Sequence, residues 1–287
     1  MSLFLKSDAN VSNPVASMPY LEKDYAIVRG VTRAMFDFSN PECYSGTGNL
    51  IGGATTFKDL TINNGEAKAQ ANSTHVFAPI ENGMIKVLGG SGNGRFISLG
   101  SQFKFPATTR KALIVLHAKI PKSGWSASAM SSLIGTGVSS GVQYLLYAAS
   151  DENGALKSLT FRIKGSSGNI DAILQGSSLN KISGTLVQQF GLSISISNSV
   201  ATLNFLIDGE IVSTGSGSAT QLEQYDSSGG SATLQTLFLG PSTGFSSNQT
   251  IDLRLGRVSC HDLTNRSDIT VESILLKDRT SAAGYVY

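Results

Sequence analysis

A chain of 287 residues with 31 glycines, only 15% charged residues and a formal net charge of +2 can bury a sizeable core, and its composition suits strands joined by polar turns rather than long solvated helices. The near-balanced charge contains no run of lysines or arginines, which argues against a nucleic-acid partner, because that affinity needs a phosphate-neutralising patch. Leu3-Phe4-Leu5 is followed at once by Lys6 and Asp8, and no later apolar run reaches spanning length, so the expectation is a soluble, unprocessed product without membrane insertion.

Residues 1–32 show no sustained period, and the Asn13-Pro14 and Met18-Pro19 steps favour extended or turn geometry. This stretch reads as an N-terminal arm. Its apolar Leu3, Phe4, Leu5, Met18, Tyr20 and Leu21 are the candidate docking contacts, since an exposed apolar segment gains by covering a groove or adding a strand to a neighbour. Residues 33–287 read as one β-sandwich, with no internal repeat and no linker to divide it.

From Ala34 onward strands and turns alternate. Ala112 to Ile120 is apolar except at His117 and Lys119, as expected of a central strand covered on both faces, with His117 packed rather than ligating. Ser158 to Lys164 alternates, Leu159, Phe161 and Ile163 facing one way and Thr160, Arg162 and Lys164 the other. Leu192, Ile194 and Ile196 predict a further strand, turned at Asn198-Ser199 into one through Leu203, Phe205 and Ile207. Asp208-Gly209 then predicts a two-residue hairpin, because both positions tolerate positive φ.

Gly89 to Arg95 and the Ser/Gly-rich Ser213 to Thr233 read as loops. The chain is expected to close with a strand over Ile251, Leu253 and Leu255, another through Val258, and a short helix near Val271 to Lys277. Cys43 and Cys260 are read as free thiols, since no secretion signal accompanies them.

Six fragments in order carry a family resemblance. Phe36-Asp37-Phe38-Ser39-Asn40-Pro41, followed by Phe57-Lys58-Asp59-Leu60, resembles an opening segment that usually carries tryptophan where Phe57 stands. Gly94 to Gly100 and Ala112 to Ile120 resemble the two strands that follow. Thr202 to Val212 is similar to "L-x-L-Y-V-D-G-K-L-V", and Leu237 to Gly240 with Gly256 to Thr264 resembles the closing strands, departing at Cys260 and His261. The family is the concanavalin A-like, laminin G-like jelly roll of tailed-bacteriophage virion proteins. The resemblance implies an all-β sandwich of two antiparallel sheets with an extended N-terminal arm and a short C-terminal helix.

Function has to be read from sites rather than from a fold. The superfamily's glucanases need paired carboxylates on one strand, and no Glu-x-Asp-x-x-Glu run occurs; Asp151-Glu152 beside Asn153-Gly154 reads as a turn, and Glu223 and Asp226 sit in the Ser/Gly loop. Gly137-Val138-Ser139-Ser140-Gly141 matches a nucleophile elbow, but a strand follows it where a helix is required. His75, His117 and His261 lack metal-ligand spacing. No catalytic, metal or cofactor residue is therefore assigned, and calcium at the sandwich rim is left open by the resemblance. Candidate sugar-contacting aromatics are Trp125, Tyr225 and Phe245.

The resemblance implies a non-enzymatic structural component of a bacteriophage particle, in the tail, baseplate, fibre, neck or capsid decoration. Made in the host cytoplasm and located in the virion, it would assemble through the arm with other virion proteins and copies of itself. The alternative reading is a carbohydrate-binding module that attaches to host-surface polysaccharide. A third reading is a glycan hydrolase.

Overall fold

A computed structural model describes residues 24–44, 55–70, 80–81, 83–86, 96–136, 143–222, 237–239 and 252–282. In chain order the strands are β1 (Thr32–Asp37), β2 (Thr56–Lys58), β3 (Glu66–Gln70), β4 (Ile80–Glu81), β5 (Met84–Lys86), β6 (Phe96–Ser98), β7 (Lys111–Lys119) and β8 (Met130–Thr136). They continue as β9 (Leu145–Ser150), β10 (Leu156–Lys164), β11 (Asn169–Gln175), β12 (Gln188–Ser197), β13 (Val200–Ile207), β14 (Glu210–Ser218), β15 (Leu237–Leu239) and β16 (Arg254–Asp262), and helix α1 spans Val271–Ser281.

The strands form an all-β sandwich of two antiparallel sheets. One runs β14-β13-β12-β7-β16-β5-β4, with β1 also paired to β16; the other runs β11-β10-β9-β8-β15-β6-β3-β2. Alternation explains the core. Ala112, Ile114 and Leu116 on β7, Phe190, Leu192 and Ile194 on β12, and Leu203 and Phe205 on β13 face Leu146, Leu159, Phe161 and Ile163 of the second sheet. Each of the leucines, isoleucines and phenylalanines among them contributes about 1.5–3 kcal/mol by leaving water.

The first sheet is covered on its outer side by α1, which makes β7 the doubly buried strand that its sequence predicts. The helix begins at Thr270, whose hydroxyl accepts from the Ser273 N–H, and it buries Val271, Ile274, Leu275 and Asp278. That spacing is one helical face. Its apolar members pack on Val31, Leu113, Val115, Leu206 and Leu263. The fourth position, Asp278, is a carboxylate with none of its side chain exposed.

A buried ion network explains how that carboxylate is tolerated. Arg257, paired across the ladder with Asp37, donates to Asp37 at 2.6 and 2.9 Å, to Asp24 at 2.6 Å and to Asp278 at 3.3 Å. Asp278 also accepts from His117 and, at 2.7 Å, from Gln189. Burial pushes the Asp278 carboxyl up, but His117, Arg257 and Gln189 outweigh it and hold the group well below the usual carboxylate range. Nearby, His261 is buried between Thr32 and Ser259, and burial lowers its pKa to about 4.

Several expectations change at their boundaries. Residues 24–31, assigned to the arm from sequence, are packed on the sandwich: Ala26 and Val31 are buried and Asp24 binds Arg257. The closing strands are a single β16, with a register shift between Leu255 and Val258 where two strands are expected; a bulge adds residues without ending the strand. Ser213 to Ser218, read as loop, is the second half of β14. A Cβ on Gly215 would lie 2.0 Å from the Asp171 carbonyl oxygen, so the small residues that suggest slack are what let β14 lie against β11.

The Asp208-Gly209 hairpin and the Asn198-Ser199 turn occur as expected, with φ of 50° and 85° in the first and 51° and 60° in the second. The helix is longer than expected, running on to Ser281. Cys43 and Cys260 are free and buried. The opening motif proves architectural: Phe57 and Phe38 meet edge to face at 4.9 Å, and Asp59 accepts from the Met35 and Thr61 N–H groups.

Candidate functional site

The outer face of the second sheet carries an open groove of about 700 Å³ across β8, β9, β10 and β11. Pairing places its residues in rows. Arg162 stands opposite Asp171, Thr160 lies between Tyr147 and Ile173, and Ser158 lies between Ala149 and Gln175. These are the residues that alternation turns away from Leu159, Phe161 and Ile163, which are fully buried.

At the centre, Arg162 donates from Nε and Nη2 to the two carboxylate oxygens of Asp171, both at 2.7 Å. Its guanidinium also lies over the Tyr147 ring, 5.3 Å from the centroid. The hydrogen bond to Asp171 raises the Arg162 pKa, so the guanidinium stays charged. Beside this stack Met130 and Ile173 are each 41% exposed, giving apolar edges to a polar floor. Ser158, Lys157 and Glu152, also in the lining, make no side-chain hydrogen bond among the described residues.

A planar fork of donors and acceptors and apolar edges are surfaces that a pyranose presents partners for, while Tyr147, 7% exposed and covered by the guanidinium, backs the fork rather than offering a face of its own. The sugar's C–H faces lie on apolar groups, and its hydroxyls bridge paired donors and acceptors. The groove is open rather than enclosed, which suits one face of an extended saccharide.

Sequence reasoning seeks sugar-contacting aromatics in loops, and the structure places the one it describes elsewhere. Trp125 is 5% exposed, its ring belongs to the core, and its indole N–H donates to the Pro121 carbonyl at 2.8 Å. A ring so enclosed has no face to offer a sugar. Tyr225 and Phe245 lie outside the described residues, as do Leu3, Phe4, Leu5, Met18, Tyr20 and Leu21 of the arm. The Gly137–Gly141 stretch, Glu223 and Asp226 also fall there. The signal for the groove, polar Thr160 and Arg162 on the wet face of an alternating strand, is visible in sequence; that Tyr147 and Asp171 flank them is not.

Asp151 forms the expected turn, its carboxylate accepting from the Asn153 and Ala155 N–H groups. Among the described residues no three His, Cys, Asp or Glu side chains converge as a metal site. Asp24, Asp37 and Asp278 converge on the Arg257 guanidinium instead. No helix among the described residues is long and apolar enough to cross a membrane.

No protein-family model matches the chain, and no curated protein matches it. Among solved structures it is similar to Trypanosoma rangeli sialidase in complex with sialic acid, at 15% identity and a TM-score of 0.48, over 89% of this chain and 34% of that one. It is also similar to the binding domain of botulinum neurotoxin serotype D, at 13% identity and 0.49, over 80% of this chain and 50% of that one. The binding domain of botulinum neurotoxin DC in complex with SialylT matches at 14% identity and 0.49, over 80% and 50%. The chain thus spans about a third of the sialidase and half of the toxin domains. At these identities and scores no residue and no role is transferred.

Proposed function

We propose that this chain is a glycan-binding β-sandwich and that the groove across β8 to β11 receives the sugar. The observation that carries the reading is the stack of Arg162 on Tyr147, with Asp171 locking the guanidinium in plane beside exposed Met130 and Ile173. A pre-oriented fork loses little freedom on binding, so its hydrogen bonds to vicinal hydroxyls are cheaper to form than those of a mobile side chain. The reading is of binding, not catalysis.

The setting is read from the sequence. The six ordered fragments resemble the concanavalin A-like modules of phage particles, which supports a virion component that meets particle proteins, or copies of itself, through the N-terminal segment and shows the groove to host-surface polysaccharide.

A glycan array of host-surface polysaccharides, probed with the protein and with Arg162→Ala, tests the groove. Binding that falls at least about tenfold in the variant, with the variant still folded and unfolding cooperatively at the assay temperature, is expected. Silence across the array, or undiminished binding by Arg162→Ala, overturns the reading, and release of reducing ends from a bound polysaccharide would replace binding by hydrolysis. Co-sedimentation with purified particles tests the setting, using a truncation that stops ahead of Asp24 because Asp24 belongs to the Arg257 network. Equal sedimentation of both forms would remove the docking role of the arm.

A further inference from the structure

A second concavity, of about 370 Å³, shares no lining residue with the groove and lies between the 27–33 segment, the Thr61-Ile62-Asn63 turn and the Asp262 to Arg266 turn. Its volume falls in the range of small-ligand sites. Its lining is unlike that of the groove and includes three arginines, Arg29, Arg33 and Arg266, and one acidic residue, Asp262.

Of the charged side chains in this cleft, only Arg29 lacks a partner among the described residues. One Asp262 oxygen accepts from Thr109 Oγ1 at 2.7 Å, and the other accepts from the Thr264 N–H at 3.0 Å and its hydroxyl at 2.6 Å. That carboxylate is saturated by neutral donors and faces none of the arginines in an ion pair. Arg33 donates to the carbonyls of Gln102 and Lys104 at 3.1 and 3.0 Å and lies over the Phe105 ring, 6.0 Å from its centroid, so its guanidinium is engaged by groups outside the cleft lining. Arg266 is held by Asp268 at 2.9 and 2.8 Å, and its Nη1 donates to the Arg29 carbonyl at 3.3 Å. Arg29 is exposed, and its guanidinium makes no hydrogen bond or ion pair among the described residues.

Neutral donors complete the wall. Asn63 spans to the Arg33 carbonyl at 2.6 Å, and the Asn265 side chain makes no hydrogen bond among the described residues. Ile27, Val31 and Ile62 supply an apolar side. A cleft with one uncommitted guanidinium and one uncommitted amide, its other arginines and its carboxylate already partnered, is complementary to a small oxyanion joined to a less polar body.

We propose that this cleft is an anion-binding site, separate from the groove, for a small molecule bearing a carboxylate or phosphate group, with Arg29 as the residue that closes on the oxyanion. Arg266 sets where Arg29 lies by holding its carbonyl, and Asn265 donates beside it.

Isothermal titration at low chloride with D-glucuronate and with inorganic phosphate tests this. Saturable binding of either probe is expected, weakened about tenfold or more by Arg29→Ala and several-fold by Asn265→Ala, and unchanged in Arg162→Ala. Binding of glucuronate alone assigns a sugar acid, and binding of phosphate alone assigns a phosphorylated ligand. Failure of both probes to bind, or equal binding by the protein and Arg29→Ala, overturns the proposal. Because Arg29 is exposed, the variant keeps its fold, which a matching urea midpoint verifies. Loss of glycan binding in Arg162→Ala would leave this result untouched, so the two sites fail independently.

Discussion

Asp278 on α1 accepts a hydrogen bond from His117 on β7, both side chains fully buried and 161 residues apart in sequence. The same carboxylate takes Gln189 at 2.7 Å and Arg257 at 3.3 Å. Removing one member of such a network leaves the others as uncompensated buried polar groups. Asp278→Ala is expected to cost about 3–5 kcal/mol, read as a lowered urea midpoint, and Asp278→Asn distinctly less because the amide still accepts a bond. Equal midpoints for protein and Asp278→Ala would show that α1 is held by its apolar face alone.

Acid should loosen the fold through His261, whose folded pKa is about 4 against an ordinary 6.5. Between those values the unfolded chain binds a proton that the folded chain does not. Stability is therefore fully present above about pH 6.5 and declines toward pH 4, by up to about 1.4 kcal/mol per pH unit. Asp278, held low, adds its own loss only at more acidic pH. Urea midpoints at pH 7.5, 6 and 5 should fall in the protein and fall less steeply in His261→Gln. Identical slopes would remove His261 as the cause.

Close approach of β14 to β11 depends on Gly215. A side chain there meets the Asp171 carbonyl oxygen at 2.0 Å, and backbone cannot step aside as a side-chain end can. Gly215→Val is expected to destabilise by about 1–3 kcal/mol and, because Asp171 orients Arg162, to weaken glycan binding as well. A stable variant with unaltered binding would mean that the strand edges part without effect on the groove.

Arg162→Lys separates charge from geometry in the groove. Lysine keeps the cation but loses the planar fork. The ion pair is partly exposed, so the loss of stability should stay within about 1 kcal/mol, whereas glycan affinity should fall about tenfold. Full retention of affinity would assign recognition to charge alone.

Thiol reagents should leave both cysteines untouched in the folded protein. Burial pushes the Cys43 thiol up to about 12 and raises that of Cys260 further, and the thiolate is the reacting form. Two thiols should become reactive to a chromogenic disulfide only on unfolding in urea. Rapid native labelling would show that one of them is open to solvent.

Local pattern is enough to read much of this protein. The period of Leu159, Phe161 and Ile163 assigns a face to β10, the apolar run at Ala112 to Ile120 assigns a central strand, and Asp208-Gly209 assigns a hairpin, because each is decided by neighbours within a few residues. The all-β class follows from the same signals.

Tertiary structure decided the rest, for one physical reason: the deciding partners are distant in the chain. Ser213 to Ser218 has the composition of a loop and becomes a strand because it pairs residue by residue with Val200 to Phe205 of β13, while Gly215 clears the backbone of β11. Asp278 sits on an apolar helical face because Arg257, His117 and Gln189 come to it from three strands. Trp125, the loop aromatic singled out by sequence, is enclosed by the core. The groove exists only where strand register sets Tyr147, Thr160, Arg162 and Asp171 side by side, a placement that hydrogen bonding between strands determines and that no local period encodes.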